Sequence, residues 1–166
     1  MKKTIALLLF LTALSGTLVS CNQKPAYADG VPCSGLTDAV IQALPSSSGY
    51  SAYGRDQIDF FFEDTKIPDD YSLIYSTASA DIDEIGVFHA PDAASAAELQ
   101  SIVQRYIDDM RLTQTSFIAS YAPEELPKLE NAEVKLFGNY VVYIILSDED
   151  RNLAYSEIER VLKENI

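Results

Sequence analysis

The chain has no tryptophan, one histidine and two cysteines in 166 residues. A structural zinc site takes four ligands, mostly Cys and His. His89, Cys21 and Cys33 are too few to build one. A Ser-His-Asp triad would have to run through His89, and no nucleophile motif accompanies it. Phosphate-binding glycine loops are missing as well: Gly49 and Gly54 lack the lysine and the spacing. Basic residues are scarce, 12 against 25 acids, giving a net charge of −13. Nucleic-acid binding rests on neutralising phosphates with Lys and Arg, so this balance argues against a nucleic-acid partner. No cofactor motif and no internal repeat is present.

The one long apolar run, Ile5 to Leu14, is too short to span a bilayer, which takes about 20 apolar residues. It follows Lys2 and Lys3 and precedes Ser15-Gly16-Thr17, the layout of a cleaved export signal. Leu18-Val19-Ser20-Cys21 then resembles the bacterial lipobox. The resemblance implies cleavage between Ser20 and Cys21 and a thioether-linked diacylglycerol on Cys21. Residues 1–20 would then be the signal, 21–33 a lipidated cysteine with a flexible tether, and 34–166 one globular domain. The expected address is the outer face of the cell membrane, with the lipid on Cys21 as the hold. Lys2 and Lys3 leave with the signal, so 10 basic residues face 25 acids and the mature charge is −15. An acidic surface of this kind is repelled by anionic head groups, which leaves the holding to the lipid. Cys33 remains an unpaired thiol near the tether.

Leu36, Val40, Ile41 and Leu44 recur at helical spacing and Pro45 stops them. Gln57 to Phe62, Tyr71 to Ala78 and Glu84 to His89 read as strands. After Pro91, Leu99, Ile102, Val103, Tyr106, Ile107 and Met110 mark an amphipathic helix of about 25 to 30 residues. Phe117, Ile118 and Tyr121 continue its apolar face. Glu133 to Phe137 and Tyr140 to Ser147 are strands joined at Gly138-Asn139. Val141 to Leu146 is apolar on both faces, which suits a central strand covered on both sides, or an interface. Ser147 and the acids Asp148 to Asp150 open a last helix through Ala154, Ile158, Val161 and Leu162. The expected fold class is α+β: an antiparallel sheet of about five strands with a long amphipathic helix and N- and C-terminal helices packed against it.

Glu84-Ile85-Gly86-Val87-Phe88, the long helix, Ser120-Tyr121-Ala122-Pro123, Leu129 to Val134 and Gly138-Asn139-Tyr140-Val141 together resemble the bacterial family catalogued as domain of unknown function 4358. The likeness covers roughly residues 55 to 150. It implies small lipoproteins of Gram-positive bacteria, in keeping with the leader, and it transfers no catalytic residue.

Candidate sites are few. Asp81, Asp83 and Glu84 are close enough for calcium, but the EF-hand pattern is absent and the expectation is a solvated loop with no metal. Asp148-Glu149-Asp150 fit a helix start better than a chelate. Tyrosine is plentiful, ten in all. Tyr50, Tyr53, Tyr71 and Tyr75 are candidates to line a surface for a sugar, peptide or other small ligand, since tyrosine is enriched at interfaces. The sequence therefore points to a non-enzymatic domain that binds an unknown protein or small ligand. An envelope-polymer hydrolase using carboxylates and a structural subunit of a surface complex stay open as alternatives.

Overall fold

Val141 to Leu146 can be apolar on both faces because a layer of helices covers each side. The computed structural model describes residues 26–45, 49–62 and 66–166. The export leader and the Ser20-Cys21 pair lie outside these residues. The strands are β1 (Tyr50–Ala52), β2 (Tyr71–Ser76), β3 (Glu84–His89), β4 (Glu133–Phe137) and β5 (Tyr140–Ile145). They form one sheet in the order β1-β2-β3-β5-β4, antiparallel throughout. All of β5 is buried. Val141, Tyr143 and Ile145 face a core formed with α2 (Arg55–Phe61), α3 (Ala93–Tyr121) and α4 (Leu126–Glu130). Tyr140, Val142 and Ile144 face a second core under α1 (Cys33–Ala43) and α5 (Asp148–Glu164). The α+β class holds, with helices on both faces of the antiparallel sheet.

Local chemistry sets most boundaries. Asp92 caps α3 by accepting from the Ser95 N–H at 2.8 Å, and Ser147 caps α5 by accepting from Asp150 N–H at 3.2 Å. Gly138 takes φ +61° in the β4–β5 turn, a conformation open to glycine.

Two secondary-structure expectations fail. Residues 57–62 are not a strand; Arg55–Phe61 is helix. The Gln57 side chain accepts from the Gly54 N–H at 2.9 Å, and Arg55 pairs with Asp59 one turn on. Ile58 and Phe62, four apart, then reach the core together. The fifth strand is β1, whose three residues are too few to show a period. On α3, Ile118 is buried but Phe117 and Tyr121 are exposed. At 1.5 Å per residue a helix of this length runs about 43 Å, roughly twice a six-residue strand, so its end has no sheet to cover. Arg111 holds that overhang, donating to the carbonyls of Leu129, Glu130 and Ala132.

The tether expected up to Cys33 is bound to the domain from Tyr27 onward. The Tyr27 ring packs edge-on against Phe137 at 5.7 Å, and the Ala28 N–H donates to the Leu162 carbonyl. Val31 exchanges two hydrogen bonds with the Tyr140 hydroxyl.

Candidate functional site

Gly86 sits on β3 directly across from Tyr143 on β5. A Cβ at Gly86 would lie 2.0 Å from the Tyr143 ring. Glycine therefore lets that ring lie flat across β3. The ring points toward Glu84, two residues back on the same face of the strand. There the Tyr143 hydroxyl donates to Glu84 Oε1 at 2.5 Å. Tyr106 from α3 donates to the same oxygen at 2.9 Å, and Tyr53 donates to Oε2 at 2.8 Å. Three phenols, from α3, β5 and the β1–α2 turn, converge on one buried carboxylate, and no cation pairs with it among the described residues. Burial pushes the Glu84 carboxyl up from its usual range, and the three phenol donors oppose that shift without cancelling it. All three phenols are pushed up as well, first by burial and then by the Glu84 charge.

This cluster floors a groove of about 600 Å³ between α2 and α3. Tyr53, Phe60, Phe61 and Tyr106 form its aromatic walls, with Met110 beyond them. The walls brace one another: Tyr53 meets Phe61 edge-on at 5.0 Å, and Phe61 lies 5.8 Å from Tyr106. Phe60 stands 68% exposed at the lip. Arg105 and Asp109, one helical turn apart on α3, mark the rim.

Asp81 and Asp83 are not a solvated loop. Their side chains are 16% and 14% exposed, and Lys128 of α4 reaches both, Nζ lying 3.0 Å from Asp81 and 2.6 Å from Asp83. Glu125 completes the set at 2.7 Å. These three carboxylates have the spacing of a metal cage, but the Lys128 ammonium stands among them as the cation. Burial works against that ammonium, yet hydrogen bonds to Asp83, Glu125 and Asp81 outweigh it and push its pKa up. Asp83 is pushed up to about 6 by burial, while hydrogen bonds from Ser76 and Lys128 hold Asp81 down. Glu84 belongs to neither the lysine nor a loop; it is the first residue of β3.

The four candidate tyrosines scatter. Tyr53 is in the groove, and Tyr75 stacks behind it at 4.4 Å. Tyr50 donates to Asp83 at 3.2 Å, and Tyr71 lies under the Arg55 guanidinium. Tyr106 and Tyr143 escape a sequence reading because each looks like ordinary core: one sits on a helix stripe, the other in an apolar strand. The available signal is Glu84 on a strand otherwise apolar from Ile85 to Phe88, followed two residues on by a glycine with room for a ring.

His89 ends β3 as expected. It stacks on Tyr140 at 4.4 Å, and its Nε2 lies 2.8 Å from Asp29. A larger hollow of about 930 Å³ opens beside it, near the start of α3. Aromatic walls and a buried carboxylate distinguish the α2–α3 groove from that hollow. Cys33 is fully buried at the start of α1, and burial pushes its thiol well up, which leaves little reactive thiolate.

A family model described as Domain of unknown function (DUF4358) matches residues 60–146. The matched span holds Glu84, Gly86, Tyr106, Lys128 and Tyr143, but not Tyr53. No curated protein and no solved structure gives a match. With just over half of its length matched, including the strand and helix that build the Glu84 cluster, the chain belongs to the DUF4358 family.

Proposed function

We propose that the protein is a lipid-anchored, non-enzymatic domain at the outer face of the cell membrane, whose ligand or partner docks in the α2–α3 groove. One observation carries the binding reading: exposed and half-buried aromatic rings surround a buried carboxylate held in place by three phenols. Groups fixed before binding lose little entropy on binding, which favours recognition. The lipobox at Leu18 to Cys21 carries the address.

The hydrolase alternative has weaker support. Glycosidases set two carboxyl groups at opposed positions about 5 to 9.5 Å apart. In the groove, Glu84 already accepts from two phenols through Oε1, and Asp109 is an exposed rim residue. The structural-subunit alternative relied on an exposed face of Val141 to Leu146, and α2–α4 and α1–α5 cover both faces.

A photo-crosslinking amino acid placed at Phe60, and separately at Arg160 on α5, tests the docking site in intact cells. A discrete adduct from position 60 and none from 160 is expected; equal yields or none from 60 would overturn it. The anchor is tested by Cys21→Ala. Release of the protein into the medium is expected, and unchanged membrane retention would sink that half of the reading.

A further inference from the structure

The acceptor geometry of Glu84 narrows the ligand class. An ionised carboxylate offers about four lone-pair positions, two on each oxygen. Oε1 takes two phenols, Tyr106 and Tyr143, and is full. Among the described residues Oε2 takes only Tyr53 and keeps one position. Glu84 is one of the residues lining the groove. Aromatic rings line the groove around it, and the face of an aromatic ring attracts cations. Glu84 and Asp109 are acids and Arg105 is a base, so the charged lining of the groove carries one net negative charge. The whole chain adds a net charge of −13, a field that concentrates cations.

We infer that the groove is built for an organic cation: an ammonium or guanidinium on an alkyl stem, the side chain of a basic peptide. The stem packs against the aromatic wall of Phe60, Phe61 and Tyr106, and the cationic N–H donates to the open position on Glu84 Oε2. This inference rests on the groove being the binding site and names what the site selects. Arg105 at the rim opposes the ligand, and Asp109 assists it.

The test is a titration of the isotope-labelled full chain with n-butylammonium, n-butylguanidinium and the neutral n-butanol, read from amide chemical shifts. Saturable shifts at Tyr53, Phe61 and Tyr106 with the two cations, and much weaker ones with the alcohol, are expected. Glu84→Gln should weaken cation binding about tenfold or more, as expected for loss of a charge-assisted hydrogen bond. Because Glu84 is also buried structure, two exposed rim variants carry the same test. Asp109→Asn should weaken cation binding about twofold to threefold, and Arg105→Gln should strengthen it by a similar factor, the scale of partly screened charges. A groove that sorts by shape alone gives no such opposite signs. Equal shifts from the alcohol and the cations would overturn the cation class and leave the groove as a site for apolar ligands. An absence of shifts in the groove with any of the three would overturn the inference, and crosslinking at position 60 would then decide the docking site separately.

Discussion

Asp83 and Glu84 are consecutive carboxylates, and the fold gives the first a lysine and the second three phenols. Both are withdrawn from water, and burial pushes both pKa values up. They differ in what satisfies the charge. Around Asp83 the network closes on itself: Lys128 meets three carboxylates, and Tyr50 and the backbone fill further positions. Around Glu84 the partners are neutral dipoles. They steady the anion without cancelling its charge, so its field still reaches the groove. An ion pair is a way to finish a buried charge; a ring of hydroxyls is a way to hold one ready.

The largest effect should come from removing the lysine. Lys128→Met leaves three poorly solvated carboxylates without a cation, and breaking such a pair costs about 3 kcal/mol. Chemical denaturation at pH 7 measures it. The loss should shrink as pH falls below about 6, because without the ammonium the folded carboxyls take up protons at higher pH than with it; a pH-independent loss would argue against the ionic role.

Gly86→Ala comes next. Its Cβ meets the Tyr143 ring, and forced overpacking costs about 1 to 3 kcal/mol. Gly86→Ala with Tyr143→Leu should cost less than the sum of the two singles, because the two residues share one space. Strict additivity would show that the ring does not need the glycine.

Removing single phenol donors should be milder. Tyr143→Phe and Tyr106→Phe each take a donor from Oε1 and should cost about 1 to 2 kcal/mol; Tyr53→Phe, in the less buried position, should cost least. Each should also raise the Glu84 pKa further, which carboxyl NMR can follow, since donors to the charged form hold it down.

The smallest effect separates the two acids by pH. A carboxyl raised in the folded state keeps a proton that the unfolded chain has lost, so stability falls as pH rises from the unfolded value toward the folded one. For Asp83 that window runs from about 4 to about 6. For Glu84 it starts at about 4.3 and ends at its raised folded value. Asp83→Asn should flatten the decline between about pH 4 and about pH 6, and Glu84→Gln should remove the part that begins at about 4.3. Identical profiles for the two variants would erase the distinction between the closed and the open network.

Much of the frame was legible because periodic apolar residues and capping side chains act locally. The Ala93–Tyr121 helix and the Gly138 turn follow from neighbours a few residues away. Residues 57–62 misled because Ile58, Phe60, Phe61 and Phe62 favour strands by propensity, while the Gln57 cap and the Arg55–Asp59 pair tip them to helix. The site was hidden for a different reason. Tyr53, Glu84, Tyr106 and Tyr143 are separated by 22 to 59 residues in the pairs that bond. Their meeting depends on sheet order, which a single sequence does not reveal. Lys128 likewise gave no sign of its role, since its partners lie 45 and 47 residues upstream.

The docked segment from Tyr27 to Val31 has a consequence for orientation. Tyr27 packs on the core under α1 and α5, on the side of the sheet away from the groove. Cys21 is six residues before it, a reach of at most about 22 Å. A lipid on Cys21 would therefore keep the domain on a short leash with its α1–α5 layer toward the bilayer. The aromatic groove would then face outward, toward whatever approaches the cell.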